Sequence, residues 1–71
     1  TTIDYSIKDD GFVSLKVYNL LGQLVADLVD REQKSGFHTM DFNASNLPSG
    51  IYIYTLRTSE LTLVKKMLLL K

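Results

Sequence analysis

The sequence predicts an all-β protein, a small antiparallel β-sandwich of six or seven short strands. Three observations carry that expectation. Apolar residues recur with period two, as they do on a strand with one face buried. Turn formers punctuate the chain at intervals of about 8–12 residues, the spacing of a sandwich or barrel. A single sheet would leave its apolar face in water, and a second sheet packed face to face removes it.

The first alternating stretch is Thr2–Ile7, with Ile3, Tyr5 and Ile7 on one face and Asp4 and Ser6 on the other. Asp9-Asp10-Gly11 then turns the chain. Phe12–Tyr18 places Val13, Leu15 and Val17 together, opposite Ser14 and Lys16. Asn19-Leu20-Leu21-Gly22 breaks the alternation and ends in a turn glycine. Gln23–Val29 fits a short amphipathic helix almost as well as a bulged strand. Its strand neighbours and its repeated valine favour the strand.

Asp30–Gly36 is polar, ends in Ser-Gly and reads as a loop. Phe37–Phe42 alternates again, with His38, Met40 and Phe42 on one side. The next segment, 43–50, is rich in Asn, Ser, Pro and Gly and reads as a connector. Leu47, its one large apolar residue, is expected to plug the end of the sandwich. Ile51–Arg57 is rich in Ile, Tyr and Thr, and Tyr52, Tyr54 and Leu56 share a face. Thr58-Ser59-Glu60 turns the chain into a last strand, Leu61–Leu70, on which Met67 and Leu69 face the core beside Lys65, Lys66 and Lys71.

Composition narrows the function classes. With 71 residues the chain is one domain, and a core this thin has little room for a deep dry active site. Eight basic and eight acidic side chains give a formal net charge of zero. That balance lacks the footprint of a nucleic-acid binder or of a protein that sits on anionic lipid. With no cysteine there is neither a disulfide framework nor a thiolate metal site. No apolar run approaches the length needed to span a bilayer as a helix. The chain opens on Thr1 rather than Met, directly into a strand pattern, so it is expected to be an excised piece of a longer protein.

Residue chemistry points the same way. His38 is the single histidine and lies inside a strand pattern, so neither a nucleophilic triad nor a histidine metal site is expected. Asp9, Asp10, Asp27, Asp30 and Glu32 do not follow a calcium-loop spacing and read as solvated carboxylates. Paired carboxylates for glycoside hydrolysis need a walled cleft that so short a chain can hardly supply. Tyr5, Tyr18, Tyr52 and Tyr54 all fall in strands, where packing explains them better than a carbohydrate platform. The glycines lie at junctions between patterned segments, and no phosphate-binding glycine motif is present. The expectation is a protein with no catalytic residue, no metal and no cofactor.

Several segments carry a family resemblance when taken together and in order. They are Gly11–Tyr18 (Gly-Phe-Val-Ser-Leu-Lys-Val-Tyr), Leu21-Gly22-Gln23-Leu24-Val25 and Gly36-Phe37-His38. They continue through 42–52 (Phe-Asn-Ala-Ser-Asn-Leu-Pro-Ser-Gly-Ile-Tyr) and end on Lys65-Lys66-Met67-Leu68-Leu69-Leu70-Lys71. In this the chain resembles the C-terminal sorting domain of the type IX secretion system, type A. The resemblance implies an immunoglobulin-like sandwich spanning residues 1–71 as a single sorting domain, at the end of a secreted or cell-surface protein of a Gram-negative bacterium. It implies passage through the periplasm. The implied partners are the outer-membrane type IX translocon and shuttle proteins, a sortase, and a covalently linked upstream cargo domain, with no nucleic acid. In that family an Asn-Pro-rich segment precedes the first strand, and this chain starts after it.

Carried over residue by residue, the recognition motif comprises Leu47, Pro48, Gly50 and Tyr52, then Lys65, Lys66, Met67, Leu69 and Lys71. A turn followed by a core strand accounts equally well for the first group. Packing alone does not require Lys65, Lys66 and Lys71. Two rival readings remain: a structural module related to the immunoglobulin-like domain of the flagellar hook-capping protein, and a carbohydrate-binding accessory module. Free edge strands in so small a sandwich also allow a homodimer.

Overall fold

The computed structural model describes residues 1–70. Six strands follow one another: β1 (Thr2–Ile7), β2 (Gly11–Tyr18), β3 (Leu24–Gln33), β4 (Gly36–Asp41), β5 (Gly50–Arg57) and β6 (Thr62–Leu69). They form two antiparallel sheets, a pair β1-β4 and a four-stranded sheet in the order β3-β2-β5-β6. The chain is therefore an all-β sandwich of six strands, as its alternation requires.

Register builds the core. Residues opposite one another in an antiparallel ladder share a face, so each pair extends a row across the sheet. Val29, Leu15 and Leu56 form one such row, and Val17 and Tyr54 belong to the next. Ile3, Tyr5 and Ile7 come down on these rows from β1, and Phe42 follows from the end of β4. Leu15, Val13 and Val17 are the most completely enclosed side chains. Each contributes about 1.5–3 kcal/mol relative to exposure. Leu47 packs against the rim of this core, which is the plug that the connector was expected to provide.

The third strand departs from expectation at its C-terminal end. Asp30–Gly36 reads as a loop in the sequence, whereas β3 continues to Gln33 and only two residues separate it from β4. Glu32 pairs with Phe12 and Arg31 with Val13, so β2 gives these polar residues a ladder. The ladder satisfies the backbone whatever the side chains are, and composition alone does not reveal it. Before that point the strand is irregular. Its register against β2 shifts twice, between Leu15 and Lys16 and between Val17 and Tyr18. These shifts explain why Gln23–Val29 imitates a helical period.

The sheets are unequal, and this decides what stays open. The two-stranded sheet covers the middle of the larger one. On one inner row Leu56 is 3% exposed, yet its neighbour Leu63 on β6 is 43% exposed. Beyond β5 the inner face stays open at Leu63, while Met67 and Leu69 at the far end of β6 still reach the core.

Candidate functional site

Of the expected motif residues, Leu47, Pro48, Gly50, Tyr52, Met67 and Leu69 meet at one end of the larger sheet. Pro48 fixes its own φ and lies outside the strands, where its carbonyl can accept from a side chain. The phenol of Tyr52 donates to that carbonyl at 2.8 Å. The ring of Tyr52 is buried, so the bond lets an apolar body enter the core while its polar tip stays satisfied. Upstream, the Leu47 amide donates to the carbonyl of Ala44 at 3.0 Å, closing a turn that seats Leu47 on the core. The Pro-x-Gly-x-Tyr segment is thus a closed corner, built like the tyrosine corners of other sandwiches.

The last strand runs directly beside this corner. Gly50 lies opposite Leu69, Ile51 opposite Leu68 and Tyr52 opposite Met67. Leu69 is buried and Met67 packs against the core. Two motif groups separated by more than a dozen residues are therefore neighbours in one ladder. The structure does not keep the lysines together. Lys65 lies opposite Tyr54 on the inner face, and Lys66 lies opposite Ile53 on the outer face. Both are exposed. Lys71 lies outside the described residues.

Sequence reasoning placed a turn at Asn19–Gly22, on the other side of the corner, but gave it no part in the site. The side-chain oxygen of Asn19 accepts from the amides of Leu21 at 2.9 Å and Gln23 at 3.0 Å. The Asn19 amide donates to the carbonyl of Gln23 at 3.0 Å, and the Gly22 amide donates to the carbonyl of Asn19 at 3.0 Å. Gly22 closes the loop at φ +83°, a conformation open to glycine at little cost. The loop holds Leu20 and Leu21 out in solvent, and with the segment 47–52 it walls a shallow groove floored by Val25 and Tyr52. The available signal was Asn at the head of Leu-Leu-Gly, since asparagine folds back on its own backbone in turns.

The other candidates take structural places. The ring of His38 stacks on Tyr5 with centroids 5.4 Å apart and an angle of 18° between planes. Its Nε2 lies 2.6 Å from the carbonyl of Lys34, to which it donates, while the Tyr5 hydroxyl donates to Gln33. These contacts tie the small sheet to the end of β3. Tyr5, Tyr52 and Tyr54 face inward and Tyr18 faces outward, so the tyrosines make no common platform. Asp27, Asp30 and Glu32 are spread along β3 opposite Lys16, Ser14 and Phe12. Among the described residues no three potential metal ligands converge.

Two exposed carboxylates at the opposite end of the sandwich are perturbed. The Ser35 amide donates to Asp10 at 2.7 Å and the Lys34 ammonium lies 3.8 Å away, and together they hold the Asp10 carboxyl below its usual value. A hydrogen bond shared with Asp9, and the negative charge of Asp9, raise Glu60 above its usual value. Neither group belongs to the corner.

The sequence model of a family described as "Secretion system C-terminal sorting domain" matches residues 1–70. No curated protein and no solved structure gives a significant match.

Proposed function

The chain belongs to the secretion system C-terminal sorting domains, and from that premise we propose that the corner at residues 47–52, together with β6, is the surface its export machinery reads. The domain is a secretion signal of the Por, or type IX, system, and its family is non-catalytic. A protein carrying it is recognised by secretion machinery and is secreted or displayed on the surface of a Gram-negative bacterium.

The finer reading is that residues 1–71 act as one tag on an upstream cargo. The tag passes the periplasm, meets the outer-membrane translocon and its shuttle proteins, and is handled by a sortase. Leu47, Pro48, Gly50 and Tyr52 shape the corner. Met67 and Leu69 anchor β6 to it, and Lys65, Lys66 and Lys71 supply the charge a partner can read. The observation that carries this reading is the pairing of Gly50 with Leu69 and Tyr52 with Met67. It makes one surface of two motif groups distant in sequence.

The test fuses the full chain to a periplasmic reporter in a host with the type IX system. Reporter in the medium or on the cell surface is the expected result. Retention of the intact fusion in the periplasm, with its upstream linker present, would overturn the sorting reading.

A further inference from the structure

Resting on the reading of this chain as a sorting signal, we propose that the free edge of β6 takes up an extended strand of the export machinery, antiparallel and with two adjacent acidic residues opposite Lys65 and Lys66. The four-stranded sheet has two outer strands, and the sequence treats them differently. β3 breaks register twice and carries Asp27, Asp30, Arg31 and Glu32, the devices that blunt an edge against strand addition. β6 has neither bulge nor proline. Its ladder with β5 runs unbroken from Gly50 opposite Leu69 to Arg57 opposite Thr62. Among the described residues its far side has no neighbouring strand.

The side chains of β6 suit a partner above and below the sheet. Val64 is 64% exposed and Leu68 60% exposed on the outer face, and Leu63 stands open on the inner face. The charged residues of the strand are both lysines, at its centre and on opposite faces. Lysines on an edge strand oppose indiscriminate strand addition, and a strand that sets opposite charges against them removes that obstacle.

Symmetry disfavours a second copy as the occupant in the registers of greatest overlap. A two-fold axis that pairs β6 antiparallel with itself passes between a residue and its own copy. The midpoint of Thr62–Leu69 falls between Lys65 and Lys66. The two registers of greatest overlap therefore centre on one lysine or the other and set that lysine against itself. Like charges directly opposite one another destabilise a ladder, and opposite charges stabilise it. The same two residues that oppose self-pairing thus select an acidic strand.

The experiment uses the 71-residue chain and a blocked octapeptide, Thr-Val-Thr-Glu-Glu-Val-Thr-Val, with a second peptide carrying Lys-Lys at its centre. Amide NMR and hydrogen exchange locate binding, and sedimentation follows self-association. The acidic peptide is expected to shift and protect amides of β6 but not those of β3. Combining Lys65→Glu with Lys66→Glu should weaken its binding by about tenfold or more and transfer preference to the basic peptide. Lys65→Gln with Lys66→Gln should fall between. Protection along β3 or the small sheet would overturn the proposal. So would an absence of binding at millimolar peptide, or dimerisation through β6 without it. Export of the reporter fusion separates the two readings. If the intact fusion is exported and the double glutamate variant, folded to the same melting temperature, is exported equally well, strand docking fails while sorting stands. If the intact fusion itself is retained, the sorting reading fails.

Discussion

Tyr52 and Pro48 close the corner of the domain on themselves, the phenol donating to the carbonyl four residues upstream at 2.8 Å. The bond makes Tyr52 both a core residue and the latch of the connector. Tyr52→Ala should cost about 3–5 kcal/mol, a large share of the stability of a small domain. Tyr52→Phe removes the latch alone and should cost about 0.5–1.5 kcal/mol. Tyr18→Ala, on the half-buried outer face, should cost less than Tyr52→Ala. Denaturant midpoints of the three variants check the order, and equal small losses would show that the buried face is misassigned.

Gly22 closes the β2–β3 loop at φ +83° with no atom near the place a Cβ would occupy. Any cost of substitution is therefore backbone strain and not a clash. Gly22→Ala should destabilise by about 1–2 kcal/mol, and Gly22→Asn by less, because asparagine visits this conformation more readily. Equal melting temperatures for the two variants would contradict the assignment of strain.

The perturbed carboxylates predict opposite responses to pH. Asp10 is held low, so its contribution to stability is present above the unfolded carboxyl value and is lost as pH falls through the folded one. Asp10→Ala should lower the melting temperature at neutral pH, with the difference vanishing in strong acid. Glu60 is raised, so the proton it shares with Asp9 stabilises the fold below the unfolded value, and that gain is lost as pH rises through the folded one. At neutral pH the two charges repel. Glu60→Gln should raise the melting temperature there, with the advantage shrinking toward acid. Melting curves across pH test both signs.

Lys65 and Lys66 are exposed on opposite faces of β6. Lone surface charges rarely contribute more than about 1 kcal/mol, so alanine at both positions should leave melting nearly unchanged. In recognition the same charges set encounter rate and orientation. The double alanine variant should therefore impair export of the fused reporter while remaining folded, and single variants report which face matters. Undiminished export would remove the lysines from the recognition surface.

Strand identity was legible where one face is buried. Val13, Leu15 and Val17 on β2, and Tyr52 and Leu56 on β5, announce their inward face by alternation, because successive side chains of a strand point to opposite sides. The segment 30–33 was not legible, since its strand character comes from backbone bonds to β2. The motif residues Leu47, Pro48, Gly50 and Tyr52 were found through family resemblance, and the hydrogen bond inside the corner was not part of that resemblance. Asn19 was read only as part of a turn, because its side-chain bonds to the loop backbone appear only once the loop is folded.

By itself the sequence determined the class of fold, the inward faces of most strands and the family to which the domain belongs. Those depend on local alternation and on the order of short motifs, both written along the chain. Only the tertiary structure decided that the order of the larger sheet is β3-β2-β5-β6. With that order came the pairing of Tyr52 with Met67 and a regular β6 on the open edge. Such facts rest on pairing between residues far apart in sequence, where many registers satisfy the same alternation. Packing of the two sheets selects one of them.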